Sequence, residues 1–398
     1  MSQISRELYS GKIYLIDGKR TPFGSFGGSL GGVTPVDLSV SAAKALLEAS
    51  SVKPDQIDHV ILGNVLPSTT DTLYGARHLG LKIGVPENVP AYLLNRLCGS
   101  GVQTMLDAAR MIKLGEASCV LAGGTENMSM APHAVYGGRF GTKYGALQTV
   151  DFLLDSLTDQ YSGCPMGITA ENLAEQYSLT RDECEEYSVN SHKKYLKAFS
   201  EGHYKDEIAP IELKRGVLAK DEHPREDVNK AGMEKLRSSF KKDGTVTPAT
   251  ASGIVDGSAM CLVASEEFCQ KNSITPLAEI IDGQVVGVDP KIMGIGPVPA
   301  INLLLERNKM KLDQIDLIEI NEAFASQVIS CQKELKIPDE KLNIWGGAIA
   351  IGHPLAATGT RISMALARQL RTGGLEFGIA SACIGGGQGI SVLLKAVK

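Results

Sequence analysis

Four short stretches of the sequence hold residue types that can do chemistry. Cys98 stands in Asn95-Arg96-Leu97-Cys98-Gly99-Ser100-Gly101, just before a stretch of helical character at 102–110. A cysteine at a helix N-terminus meets the positive end of the dipole and free backbone N–H groups; both favour the thiolate and lower its pKa. The small residues after it leave room for a substrate, so the setting suits a nucleophile, although it also suits an inert buried cysteine. His353 lies in Gly346-Gly347-Ala348-Ile349-Ala350-Ile351-Gly352-His353-Pro354, where small residues imply close backbone packing. The following proline restricts its backbone, which suits a general base held within reach of a thiol. Cys383 precedes Ile384-Gly385-Gly386-Gly387, where a strand runs into three glycines. Such a turn presents backbone N–H groups to an oxyanion, or is simply a tight turn needing positive φ. The glycines do not read as a dinucleotide loop, because the G-x-G-x-x-G order and a following acidic residue are missing. Asn321 ends an apolar run, a position that suits a functional residue in an open α/β sheet and equally a helix cap.

These residues need a scaffold. Short β-rich runs at 12–16, 59–63, 118–122, 317–320 and 377–382 alternate with longer helical patterns, which predicts a parallel sheet covered by helices. Asp55-Gln56-Ile57-Asp58, an apolar run and Asn64 recur as Asp313-Gln314-Ile315-Asp316, an apolar run and Asn321. The segment ending in Cys119-Val120-Leu121-Ala122-Gly123-Gly124 likewise echoes the one ending in Ala382-Cys383-Ile384-Gly385-Gly386. Two echoes in the same order indicate a duplicated α/β unit. The expected division is a first half over 1–127, completed by about 254–274, an inserted domain over 128–253, and a second half over 275–398. Within the insert, Thr180-Arg181-Asp182-Glu183 is a capping box that opens a helix running towards residue 199, and 214–242 is basic and without regular apolar pattern.

Composition sets the outer bounds. A chain of 398 residues is long enough for two or more packed units. With 40 basic and 45 acidic residues the net charge is -5, so no polybasic surface for nucleic acid is built and any anion site depends on a few local Lys or Arg residues. The N-terminal stretch lacks an apolar run long enough for a signal peptide, and no membrane span is expected, which places the protein in the cytoplasm. Eight dispersed cysteines without C-x-x-C pairs argue against a disulfide framework, and no metal site is expected.

Taken together, these segments resemble the thiolase family, in the family's order and over essentially the whole chain. Lys19-Arg20-Thr21-Pro22-Phe23-Gly24, NRLCGSG, GGTE-x-MS, NEAFA, GGAIAIGHP and SACIGGGQG are close to its signatures. The resemblance implies a duplicated, five-layer α/β/α/β/α fold with an inserted loop domain. It further implies acyl transfer through Cys98, with His353 as the activating base and Cys383 as the second acid/base. Asn321 would hold a water that, with His353, stabilises an enolate, and the backbone N–H groups of Cys98 and Gly385 would form a second oxyanion hole. Coenzyme A would be a co-substrate, with no permanently bound cofactor. Arg225 would meet its adenine-phosphate end and Ser252 its pantetheine, with Met166, Phe240, Met293 and Phe324 lining the tunnel. Family members usually form homodimers, often paired into homotetramers through the loop that corresponds to about 130–145.

Two departures point to a substrate class. Pro165-Met166-Gly167 stands where biosynthetic acetoacetyl-CoA thiolases usually have His-Met-Gly, and Thr247-Pro248-Ala249-Thr250 replaces Thr-Ala-Gly-Asn. The first, with Met293-Gly294-Ile295-Gly296-Pro297, looks more like degradative 3-ketoacyl-CoA thiolases. The resemblance therefore implies cleavage of a 3-ketoacyl-CoA to acetyl-CoA and a shortened acyl-CoA, in the cytoplasm or alternatively the mitochondrial matrix. The rival readings are a biosynthetic acetoacetyl-CoA thiolase, a decarboxylating condensing enzyme, and an inactive scaffold that binds coenzyme A.

Overall fold

The computed structural model describes residues 9–214 and 216–397. Its main elements are β1 (Ile13–Arg20), α1 (Pro35–Ser50), β2 (His59–Gly63), α2 (Gly75–Lys82), β3 (Ala91–Leu94), α3 (Ser100–Lys113), β4 (Cys119–Glu126), α4 (Met166–Gln176), α5 (Arg181–Ser200), β5 (Val255–Ser265), β6 (Ala278–Gly287), α6 (Pro297–Arg307), β7 (Leu317–Ile320), α7 (Ala325–Leu335), α8 (Leu355–Gly373), β8 (Phe377–Ile384) and β9 (Gln388–Ala396). The nine strands hydrogen-bond in the order β7-β8-β9-β6-β1-β5-β4-β2-β3, and Gly24–Ser25 pairs with β5 off this path.

Period-two alternation builds the layers. Along β4, Val120 and Ala122 face one apolar cluster with α3 and α8, while Cys119 and Leu121 face another with α1 and α2. On the other half, Ala380 and Ala382 of β8 join the α3/α8 cluster, whereas Ile379 packs with α6 and α7. The result is five layers: α1/α2, one half-sheet, α3/α8, the second half-sheet, and α6/α7. The halves also touch edge to edge, where Tyr14 and Leu15 of β1 pair with Glu279 and Ala278 of β6.

The duplication read in the sequence has a structural counterpart. The Asp58 carboxylate accepts the N–H groups of Ser118 (2.7 Å) and Cys119 (3.1 Å), and the Asp316 carboxylate accepts those of Glu376 (2.8 Å) and Phe377 (2.9 Å). Each repeat therefore uses its aspartate to clip the start of the next strand in its half-sheet. The expectation of a parallel sheet needs correction, since among the strands of the described residues only β2/β3, β2/β4 and β7/β8 run parallel. The tight glycine turn between β8 and β9 forces those neighbours antiparallel, and β5 enters between β1 and β4 antiparallel to both.

The capping box forms as read: the Thr180 hydroxyl accepts the Glu183 N–H (3.2 Å), the Glu183 carboxylate accepts the Thr180 N–H (2.7 Å), and α5 runs to Ser200. A fully buried cation fastens this region to β1. Arg20 pairs with Glu207 (2.5 Å) and with both oxygens of Asp221 (2.6 and 2.9 Å), and Asp221 also accepts Tyr195 O–H and Phe23 N–H. Among the described residues no helix is long and apolar enough to cross a membrane.

Candidate active site

Four loops converge at one end of the central helical layer. Cys98 sits in a turn of 3-10 helix, Leu97–Gly99, that leads into α3. Leu97 adopts φ +47° there. Local bonds hold this conformation: Asn95 Oδ1 accepts the Leu97 N–H (2.8 Å), while the Ser100 hydroxyl accepts the Arg96 N–H (2.9 Å) and donates to the Leu97 carbonyl (2.7 Å). From β8 comes Cys383, buried against Met293, Ala323, Met166 and Phe324. The turn after it has φ +78° at Gly386 and +82° at Gly387. Gly385 packs at the same place, since a Cβ there would lie 3.3 Å from both Leu97 Cδ1 and Met166 Sδ.

Asn321 follows β7, and His353 precedes α8. Both are buried, and the Asn321 amide nitrogen lies 3.3 Å from His353 Nε2. The imidazole's tautomer follows from its other nitrogen. Nδ1 is 2.6 Å from the Thr358 hydroxyl, and that hydroxyl donates its only proton to the Pro354 carbonyl (3.0 Å). Thr358 must therefore accept, so the proton sits on Nδ1 and the Nε2 lone pair faces Asn321. Among the described residues the Asn321 Oδ1 has no hydrogen-bond partner.

Electrostatics revises one expectation. A lowered thiol pKa was expected at Cys98, yet burial pushes it up to about 11; the N–H groups of Gly385 and of Cys98 itself pull the other way and Glu126 adds to the rise. Cys98 lies ahead of α3 rather than in its first turn, and desolvation of the thiolate outweighs these N–H groups. Burial, with Arg361, drives His353 down to about 3, so the resting imidazole is neutral. Cys383 stands well above the ordinary thiol value through burial and the nearby Cys98.

The expected coenzyme contacts divide. Met166, Met293 and Phe324 pack around Cys383. Phe240 lies on Gly167, the residue after Met166, and is partly exposed. Ser252 donates its N–H to the Ala323 carbonyl (3.0 Å), and the next residue, Gly253, accepts the His353 N–H (2.9 Å). Arg225 lies apart from this cluster, on a cavity of about 280 Å³ shared with His192, His223, Pro248, Ala249 and Ile349. Pro248 is accommodated there because the 247–250 turn closes through the Thr250 N–H to the Thr247 carbonyl (3.1 Å), leaving no donor wanted at 248.

Two family models cover nearly the whole chain, one described as the thiolase N-terminal domain over residues 13–267 and one as the thiolase C-terminal domain over 274–396. The chain belongs to the thiolase family. It is 46% identical over 389 residues to human mitochondrial 3-ketoacyl-CoA thiolase, spanning 96% of this chain and 98% of the relative. A Staphylococcus aureus protein named probable acetyl-CoA acyltransferase is 44% identical over 394 residues, 97% of this chain and all of that one. The crystal structure of the human enzyme in complex with CoA superposes with a TM-score of 0.96 at 46% identity, covering 99% of this chain and all of that one.

Within this thiolase fold, two buried carboxylates whose role no local sequence pattern marks stand inside the GGTE-x-MS and NEAFA segments. Glu126 accepts Asn64 Nδ2 (3.0 Å) and the N–H groups of Val65 (3.2 Å), Leu66 (2.9 Å) and Ala356 (3.1 Å), tying the first half to the segment that follows His353. Burial pushes this carboxyl up while those N–H groups favour the carboxylate. Glu322 accepts Tyr187 O–H (2.9 Å), Ser191 O–H (2.7 Å), Asn343 Nδ2 (3.2 Å) and the Ile349 N–H (3.0 Å), which holds α5 against the loop leading to His353. Thr358, five residues past the histidine it orients, is likewise unmarked by any local pattern.

Proposed function

We propose that this thiolase cleaves 3-ketoacyl-CoA with coenzyme A, giving acetyl-CoA and an acyl-CoA shortened by two carbons. The observation that carries the reading is a pair of neighbouring thiols, Cys98 and Cys383, together with an imidazole whose Nε2 carries a lone pair, held by the Asn321 amide, that can take a proton. In the first half-reaction the Cys98 sulfur attacks the C3 ketone as its proton passes to His353 Nε2. The bond between C2 and C3 breaks, leaving the acyl group on Cys98 and an acetyl-CoA enolate. The enolate takes a proton from Cys383 and leaves as acetyl-CoA. The thiol of an incoming coenzyme A then gives its proton to the Cys383 thiolate and attacks the acyl-Cys98 thioester; the Cys98 sulfur leaves and takes back the proton held on His353 Nε2, and the shortened acyl-CoA is released.

Burial gives these groups their timing. With the Cys98 thiol near 11 and the His353 imidazole near 3, both groups rest neutral, so the thiolate develops as attack occurs. Protonated Nε2 becomes a donor towards the enolate oxygen, next to the Asn321 amide. The N–H groups of Cys98 and Gly385 favour the thiolate, which supports their serving as donors to the thioester oxyanion.

Residues 128–253 serve as the coenzyme A-holding insert, with Arg225 at the phosphate end and Ser252 towards the pantetheine. Met166, Phe240, Met293 and Phe324 form the apolar walls. Tyr136, Phe140 and Tyr144 are exposed, the last two at 90% and 99%, which supports burial of the 130–145 loop in a homotetramer built from homodimers. The human relative's mitochondrial location favours the matrix over the cytoplasmic reading.

The test is coenzyme A-dependent cleavage of acetoacetyl-CoA and longer 3-ketoacyl-CoAs by wild type and Cys98→Ala. Wild-type turnover across chain lengths, lost in the variant, is expected. No cleavage of any substrate refutes the proposal, and activity confined to the four-carbon substrate moves it to the acetoacetyl-CoA reading.

A further inference from the structure

We infer that the stacked rings of His192 and His223 are the phosphate-recognition element of the Arg225 cavity, His192 donating as neutral imidazole and His223 donating after taking up one proton with the ligand. The inference rests on the reading of this chain as a coenzyme A-dependent thiolase and names what grips the phosphates in its site.

His192 projects from the middle of α5 and is buried; His223 lies in the loop after the hairpin of Ile211–Leu213 and Gly216–Leu218. Their ring planes are 19° apart with centroids at 6.3 Å, and both line the cavity beside Arg225. Hydrogen bonds fix the neutral tautomer of each. The Arg225 N–H donates to His192 Nδ1 (3.3 Å), so the proton of this ring is on Nε2. His223 Nδ1 is 2.9 Å from the Ala350 carbonyl, which can only accept, so this ring carries its proton on Nδ1 and a lone pair on Nε2. No hydrogen bond to protein engages either Nε2 among the described residues, and neither atom is sealed from solvent. One ring thus offers a donor at once, and the other becomes a donor on protonation.

A phosphate offers acceptors only, so the lone pair of His223 Nε2 opposes it until that nitrogen is protonated. Burial disfavours the charged form of both rings. It lowers His192 to about 4, helped by His223 and Arg225, and lowers His223, where the Ala350 carbonyl and Asp221 act against it and Arg225 with it. Asp221 is already engaged by Arg20, Tyr195 and the Phe23 N–H. Asp227 is the carboxylate that lines the cavity, Asp221 lying off it, and Pro248, Ala249, Ile349, Ala350 and Gly253 bring no charge. Phosphate charge within a few ångströms reverses the balance and favours imidazolium. His223 also lies hard on Gly253, where a Cβ would come within 2.3 Å of Nε2, and the Gly253 carbonyl accepts the His353 N–H. A single residue therefore links the phosphate end to the catalytic imidazole.

The experiment is titration calorimetry of coenzyme A into the full chain at pH 7 in two buffers of different ionisation enthalpy, repeated with His223→Gln, His192→Gln and pantetheine. Wild type is expected to take up close to one proton per coenzyme A and to lose affinity by up to about tenfold per pH unit as pH rises above 7. His223→Gln should abolish the uptake and flatten the pH dependence. His192→Gln should weaken binding at every pH yet retain the slope, and pantetheine, which lacks phosphate, should bind without uptake. Binding and turnover with no proton uptake, or uptake unchanged in His223→Gln, overturns this inference alone. Absence of both binding and cleavage overturns the thiolase reading and takes this inference with it.

Discussion

Replacing Thr358 with valine keeps the volume of the side chain and removes the oxygen that accepts from His353 Nδ1 at 2.6 Å. Two consequences follow from the geometry. The Nδ1–H, buried with the rest of the ring, is left without a partner, which costs about 1–3 kcal/mol. The ring can relieve that cost by moving its proton to Nε2 or by turning, and either change removes the lone pair from the reacting end. If that penalty falls on the state that accepts the Cys98 proton, kcat drops by about 10- to 100-fold, because each 1.4 kcal/mol is a factor of ten. Substrate contacts are untouched, so KM should hold within a few-fold. The assay is the disappearance of 3-ketoacyl-CoA at saturating coenzyme A, with Thr358→Ser as the restoring control. Nitrogen NMR of the labelled imidazole supplies a readout that loss of packing would not move: wild type should show a protonated Nδ1 and a bare Nε2, and the valine variant a mixture. A valine variant that turns over within twofold of wild type and keeps the wild-type tautomer would refute the reasoning.

Three further outcomes are expected. Because His353 is lowered to about 3 in the fold, unfolded chain binds the extra proton between that value and about 6.5, so its contribution to stability is complete above 6.5 and is lost as pH falls. The stability advantage of wild type over His353→Gln, read from urea midpoints, should shrink by about 2 kcal/mol between pH 7 and pH 5; an equal difference at both pH values contradicts this. Arg20→Met strands Glu207 and Asp221 in the interior and should destabilise by about 3–5 kcal/mol in denaturant titration, an effect that unchanged midpoints would disprove. At Gly124 a Cβ would stand 1.9 Å from the Ala356 carbonyl oxygen, whereas Gly386 has open space around it and only its φ of +78° to satisfy. Gly124→Ala should therefore yield little folded protein and Gly386→Ala should cost about 1 kcal/mol, and comparable thermal midpoints for the two would count against the packing argument.

The sequence alone determined the repeat and the chemistry available. Asp58 and Asp316 announce the duplication because each must meet the N–H groups at the start of its partner strand, a local demand that leaves a local signature. Cys98, His353 and Cys383 stand out in the sequence because each lies among small residues at an element boundary, and Asn321 because it ends an apolar run; grouping the four into one candidate site came from the family resemblance. Sheet direction was not legible from alternating elements, since pairing between strands hundreds of residues apart, such as β1 with β5, is settled by tertiary packing. The same holds for the state of the thiol. A helix start argued for a lowered pKa, yet the desolvation that raises it comes from everything that packs around Cys98. Only the folded chain could set Glu126 against Ala356, 230 positions away, or bring the rings of His192 and His223 together from a helix and a loop of the insert, because no sequence period connects the partners of either contact.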